Sequence, residues 1–467
     1  MKTPIALPAP ALSRRDFVTQ AAMGAGLLIL PSGVRAGAAA PSNRVNVALI
    51  GVLGRGRTFH DTLESDANVV ALCDINEDHL RQVQQRFPKA KTYVDWRKCL
   101  EQSDIDGVII CTTDHTHAFV TNWAMNRNLH VYCEKPLTSS VEEARFIRTQ
   151  WLKKKGKIAS QVGTATAANH NRIRDMIRGG AIGEPKAAYA WTNRAIYRKG
   201  YWPAAGTPPK GLHWDLWLGP APEHPYNPRY LAKGDYREPG EREHVGANAA
   251  ACMSWNCFWD FGSGQIGDMG SHDMNMVWNA IDAKWPTSAE AKGDPYHPEV
   301  IPVALEAQWE HPANDWRGPI SVLWSQGGPV PRSPVPYIDL KQIRDGCMFK
   351  GTEGFIVGDY RTGSRTLLPF GDKADLTYFK SPRKEAVTPT HAHSTRRWLE
   401  ACKDPTIKTP CDFEYGAYMI EQQLLGLVAY RAGRKITYDG ATGKVTDYPA
   451  ANAYLKKEYR KGWTLDG

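Results

Sequence analysis

The chain has 467 residues, of which 42% are hydrophobic and 23% charged, a balance typical of soluble globular proteins and long enough for two or three domains. Its net charge is +9, but no basic stripe interleaved with aromatics runs through it, which argues against a nucleic-acid surface. Nine cysteines without CxxC spacing argue against a disulfide framework or a zinc site, leaving Cys252/Cys257 and Cys402/Cys411 open as possible pairs.

Residues 1–40 read as an address. "SRRDFVTQAAMGAGLLILPSGVRAGAAA" (Ser13 to Ala40) places Arg14-Arg15 before a weakly apolar run and then small residues, the order of a twin-arginine export signal. The run is too short for a stable membrane span. The expectation is export of the folded protein to the periplasm of a Gram-negative bacterium. Folded export suits a chain that loads a cofactor in the cytoplasm and keeps free cysteines.

From Asn43 the pattern alternates strand and helix. "VNVALIG" predicts a buried strand, "GVLGRGRTFH" a glycine turn opening a helix, and "VVALCD" a second strand ending on Asp74. This is the layout of a dinucleotide-binding βαβ unit. Gly51 makes the turn, Gly56 permits close packing, and the helix N-terminus faces a pyrophosphate. A carboxylate at Asp74 suits ribose hydroxyls and repels a 2′-phosphate, which favours NAD over NADP. Leu53 stands where the fingerprint has its middle glycine, with Gly54 and Arg55 beside it. "DIDGVIICTT" predicts the next strand and "DHTHAFVTNWAMNRN" a cap and helix. Thr113, Asp114, His115 and His117 therefore fall at a strand's C-terminal end, where open α/β sheets bind ligands. Two histidines are a poor metal set, so a capping or cofactor-facing role is expected. "HVYCEKP" ends a further strand on Glu134, Lys135 and Pro136, and the charges are either a solvated turn or part of a cleft. The "KKKGK" run at residues 153–157 ends a predicted helix, where cations suit the dipole.

"GVLGRGRTFH", "CTTDHTHA" and "EKPLTSSVEEAR" together resemble the Gfo/Idh/MocA family, that of glucose–fructose oxidoreductase and inositol dehydrogenase. The likeness continues through "QVGTATAANHNRIRDMIRGGAIGEP", "GQIGDMGSHDMN" and the tail "YRAGRKITYDG…YRKGW". An exported subgroup with "LHWDLWLGPAP" and "FWDFGSGQIGDMGSH" looks especially similar. The resemblance implies an α/β fold: a Rossmann domain (44–160) followed by an α/β domain (161–467) with a large, mostly antiparallel, open-faced sheet, a C-terminal helix and a tail. It implies that Lys135, before a cis-proline, lies by the nicotinamide and substrate. It implies that Asp268 and His272, spaced D-x-x-x-H, complete the site, and that copies pair through the open sheet as a homodimer or homotetramer. Ala165 departs from the family, where a glutamine is common.

Oxidising a secondary alcohol needs a hydride acceptor and a base. His272 titrates near neutrality and suits the base. Asp268, four residues earlier, shares its face on a helix and orients the ring or binds a sugar hydroxyl. Lys135 stabilises developing alkoxide charge. Most of the 16 tryptophans follow residue 190, and Asn193, Arg194, Tyr197, Trp214, Asp215 and Trp217 line either a sugar pocket or a packed core. His391 and His393 read as a helix start rather than a metal site. The expected activity is NAD(H)-dependent hydride transfer at a secondary hydroxyl of a sugar, glycoside or cyclitol. Two alternatives remain open: a redox glycosidase that oxidises C3, eliminates and re-reduces with recycled NAD, and a non-catalytic sugar-binding protein.

Overall fold

The structure is a computed structural model and describes residues 43–164, 168–194, 204–231, 255–336, 338–360, 366–367 and 394–466. The 1–40 signal, Ala165, Tyr197, Cys252, His391 and His393 lie outside the described residues.

β1 (Val45–Ile50) is followed by a short 3-10 turn at Gly56–Phe59, α1 (His60–Asp66) and β2 (Ala67–Cys73). The α/β rhythm continues with α2 (Glu77–Gln84), β3 (Lys91–Tyr93), α3 (Trp96–Cys99), β4 (Gly107–Ile110), α4 (Asp114–Asn126), β5 (His130–Cys133), α5 (Val141–Leu152) and β6 (Ser160–Val162). The six strands form one parallel sheet in the order β3-β2-β1-β4-β5-β6. The run "VNVALI" has no polar face because both faces are covered. Val47 and Leu49 enter one core with Leu72 and Ile109, while Ala48 and Ile50 enter the other with Val108, Ile110 and Val131. The chain order reverses beside β1, which opens a crevice at the strands' C-terminal ends. Local chemistry sets the helix starts. The Asn76 side chain accepts from Asp78 N at the head of α2, and the Ser140 hydroxyl accepts from Glu143 N at the head of α5.

The second sheet has nine strands. α6 (Ala168–Arg178), β7 (Pro185–Thr192), α7 (Trp214–Leu218), α8 (Gly264–Asp268) and α9 (Gly270–Ile281) precede β8 (Ser288–Gly293), β9 (Leu305–His311) and β10 (Ile320–Gln326). β11 (Asp345–Gly351), β12 (Phe355–Asp359), β13 (Thr366–Leu367), α10 (Ser394–Lys403), α11 (Phe413–Ala432), β14 (Ile436–Asp439) and β15 (Lys444–Val445) follow. The order is β13-β12-β11-β7-β10-β9-β8-β14-β15; only β7 and β10 pair in parallel. Alternation is strict in β9: Leu305, Ala307 and Trp309 are buried under the helices, while Glu306, Gln308 and Glu310 are half-buried on the outer face. The sheet is thus mixed and mostly antiparallel, with one face covered by α6, α9 and α11.

Residues beyond 160 also pack onto the parallel sheet. α10 returns to pack Trp398 and Leu399 into the core of the parallel sheet, and the tail donates Trp463 to a ring cluster with Trp96 and Phe119. α11 is apolar on nearly every side because α5 and the second sheet bury it from both directions. Its one deeply buried acid, Glu421, accepts from Arg145 (2.7 Å), Arg148 (2.9 Å) and the Tyr438 hydroxyl (2.6 Å). Cys402 and Cys411 are both free, so the Cys402/Cys411 pairing is not formed. Among the described residues no helix is long and apolar enough to cross a membrane.

Candidate active site

The crevice beside β1 begins at the glycine turn. Gly51 has φ +82°, and a Cβ there would sit 2.4 Å from the Cys111 carbonyl oxygen. A Cβ on Gly56 would sit 1.9 Å from Gly51 O, so the turn closes on its own carbonyl rather than on the strand. Leu53 does not block this loop, because its half-buried side chain folds back onto the core of the parallel sheet. Asp74 caps the arrangement: one carboxylate oxygen accepts from Val52 N at 3.0 Å, the other from Asn76 N at 3.0 Å, with His79 Nδ1 at 3.3 Å. Arg55 reaches from the turn to Glu134, Nε to Oε1 at 2.8 Å. A Cβ on Gly163 would sit 2.5 Å from that carboxylate, so the floor of the crevice is tight. This strand–turn–helix cradle, with an acid at the end of β2, fits a dinucleotide.

At the end of β4, Thr113 occupies the cap position of α4 without a side-chain cap bond, and its hydroxyl lies 3.4 Å from His115 Nε2. His117 lies buried behind the turn at Pro136. Its Nδ1 is 2.7 Å from Pro136 O and its Nε2 3.1 Å from Thr112 O, so both ring nitrogens face backbone carbonyls, to one of which the neutral ring donates. His117 braces the turn that presents Lys135, and burial pushes its imidazole below the usual value. His115 is likewise buried between the carbonyls of Trp217 (2.9 Å) and Phe261 (3.3 Å), with its pKa pushed down by burial to about 4. Among the described residues no group of three or more His, Cys, Asp or Glu gathers to hold a metal ion.

The structure brings Lys135, Asp268, Arg194 and His272 together. The Lys135–Pro136 peptide bond is cis, and the Lys135 ammonium donates to Asp268 Oδ1. Arg194, just past β7, donates to Asp268 Oδ2 at 3.1 Å. Asp268 is buried. Burial opposes its charge, but the Lys135 ammonium and then the Arg194 guanidinium outweigh it and hold the carboxyl down to about 2. Asp268 and His272 flank Met269, whose backbone stays helical (φ −74°, ψ −32°), with Met269 N bonded to Gln265 O and Asp273 N to Met269 O. The His272 ring stacks on Tyr360, centroids 5.4 Å apart and planes at 26°. Burial, then the Lys135 charge, hold His272 well below its usual value. Tyr360 follows β12 and carries no local motif; only the register of the second sheet delivers it, and the sequence reading missed it. Asp114 is buried near Lys135, and burial pushes its carboxyl well up.

The remaining candidates separate from this group. Asn193 is exposed at the end of β7, its N–H donating to Arg344 O at 2.6 Å. Trp214 is half-buried, stacks on Trp217 (4.5 Å) and Tyr230 (5.7 Å) and donates to His224 O. Asp215 is held by Arg460 of the tail.

Residues 45–164 match the family model for the oxidoreductase family's NAD-binding Rossmann fold, that of Gfo/Idh/MocA. A myo-inositol 2-dehydrogenase from Thermotoga maritima is 28% identical over 141 residues, 29% of this chain and 42% of the relative. A glycosyl hydrolase family 109 protein from Stenotrophomonas maltophilia is 36% identical over 137 residues, 27% of this chain and 30% of the relative. The matched part thus spans less than half the length of these curated relatives. Among solved structures, the WlbA dehydrogenase from Bordetella pertussis, in complex with NADH and UDP-GlcNAcA, superposes with a TM-score of 0.56 at 13% identity, covering 85% of this chain and 98% of that one. That likeness is one of fold.

Proposed function

We propose that this chain is a Gfo/Idh/MocA-family oxidoreductase that uses NAD(H) to transfer hydride at a secondary hydroxyl of a sugar, glycoside or cyclitol. The observation that carries the reading is the Lys135–Asp268–Arg194 pairing, with His272 alongside, at the C-terminal edge of the parallel sheet. NAD, when bound, supplies the hydride acceptor. The Gly51–Gly56 turn, Arg55 and Asp74 would hold it, with Asp74 favouring an unphosphorylated ribose.

His272 is kept neutral by burial and by Lys135, so it is ready to take the hydroxyl proton at neutral pH. Lys135 is the donor for charge developing on the substrate oxygen. Asp268 fixes the ammonium through one oxygen, while Arg194 anchors the other, so the carboxylate cannot rotate away. Tyr360 sets the plane of the base. The test is mass spectrometry of ligand released from cytoplasmically folded protein, followed by NADH formation with a panel of polyols. Release of no dinucleotide, together with no binding in titration, would sink the proposal.

The family 109 relative favours a second reading, glycoside cleavage through oxidation at C3, elimination and re-reduction. Deuterium entering sugar C2 in D₂O without net NADH would select it over simple dehydrogenation. We further propose export through the segment at 1–40, supported by Arg14-Arg15, and pairing of copies through the half-buried outer face of β9 and β10.

A further inference from the structure

A cavity of about 390 Å³ lies apart from the crevice just described; Lys135, Asp268, His272 and Arg194 are not among its walls. Its volume is at the small end of ligand sites, the size for a single sugar ring. One wall is apolar and comes from α11: Leu424, Leu427 and Val428, all buried. The opposite end is polar and is made by the head of α5, the loop around Asp260 and the tail.

The groups at that end are unevenly satisfied. Glu143 is buried and accepts from Ser139 N (2.8 Å), the Ser139 hydroxyl (3.1 Å) and the Tyr459 hydroxyl (3.0 Å). Asp260 meets His224 Nε2 at 2.7 Å. Lys457 is different. Its ammonium makes one long hydrogen bond, to Gly262 O at 3.4 Å, and forms no ion pair with a described residue. Glu143, Asp260 and Asp114 all act on it electrostatically, yet burial prevails and lowers its pKa. Lys457, Glu143 and Asp260 all line the cavity, and no ion pair joins the ammonium to either carboxylate. Arg431 completes the wall. Its guanidinium lies over Trp259 (5.2 Å) and Tyr454 (4.2 Å), and its buried Nε has no hydrogen-bond partner.

We propose that this cavity is a second binding site, for a neutral polyhydroxylated ring such as a monosaccharide or cyclitol. Hydroxyls both accept and donate, so one ring can accept a hydrogen bond from Lys457 while donating hydrogen bonds to Asp260 and Glu143. An anion would meet two carboxylates at the same end. The apolar wall suits the C–H face of such a ring. The site is independent of the proposed reaction, because the Lys135→Met variant leaves its walls untouched.

The experiment uses the full chain with bound NAD and titrates myo-inositol and D-glucose by calorimetry. It also acetylates surface and cavity lysines at neutral pH and reads Lys457 modification by mass spectrometry. We expect uptake of a second equivalent of polyol by the parent. Lys457→Met should weaken that uptake by about tenfold or more, and Lys135→Met should leave it unchanged. Acetylation of Lys457 in the unmodified chain should be slowed by either polyol, which keeps the test valid if Lys457→Met fails to fold. The inference is overturned if Lys457 is not labelled at all. It is also overturned if the polyols give no protection, or if phosphate or glucuronate protects and the neutral rings do not. Loss of turnover with intact Lys457 protection would count against the proposed reaction alone.

Discussion

At the scale of single residues, Asp268 decides most of the site's behaviour, because two cations share its carboxylate. Replacing Lys135 with Met keeps the length of the side chain and removes its charge and donors. Turnover should fall by about 10²-fold or more, with NAD binding retained, since the Gly51–Gly56 turn and Asp74 are untouched; titration of dinucleotide beside steady-state rates checks both halves. His272 is depressed, so its base form persists below the usual imidazole range near 6.5. The acid limb of kcat/KM should therefore lie below about pH 6.5, and a limb at or above that value would remove His272 from the role of base. Asp268 carries a stability consequence as well. Its folded value, about 2, is below the unfolded one, so its contribution is present above about pH 4 and is lost as pH falls toward 2. The size is about 2–3 kcal/mol, and acid unfolding of Asp268→Asn should lack that part of the slope. Lys135, Asp268 and His272 were legible in the sequence because each sits in a short motif. Tyr360 was not, because its contact with His272 depends on the placing of a distant strand. Spacing shows where the His117 side chain starts and not which carbonyls meet it.

At the scale of elements, the parallel sheet was largely readable. Runs such as "VNVALI" and "GVII" have no polar face, and glycines and capping residues punctuate them. The second sheet was readable only as a class. Its central pair, β7 and β10, joins residues 185–192 to 320–326, and no local pattern encodes that pairing. The helical run around "GDMGSH" keeps helical backbone through Met269, where α8 meets α9. The firmest test at this scale is Glu421 of α11, which joins Arg145 and Arg148 of α5 to Tyr438 of β14. Removing one member of a buried ionic network strands the others. Glu421→Ala should cost about 3–5 kcal/mol, read as a lowered midpoint in urea, and a loss below 1 kcal/mol would show the network to be solvated.

At the scale of the whole molecule, a ligand that binds only the folded chain raises its stability by mass action. NAD at a hundredfold excess over its Kd should add about 2.7 kcal/mol, visible as a rise in Tm that Lys135→Met preserves. If copies pair through the outer face of the second sheet, Leu323→Arg on β10 should lower the mass seen by light scattering at the same loading. The Glu421 network also bears on how the polypeptide is made. Arg148 and Glu421 are 273 residues apart in sequence. At the usual pace of synthesis, about 5–20 residues per second, the guanidiniums of α5 leave the ribosome some 15–50 s before their carboxylate exists. During that interval the newborn Rossmann half carries a cationic, half-covered seam, which is where a chaperone should be found bound to stalled nascent chains that end before residue 413.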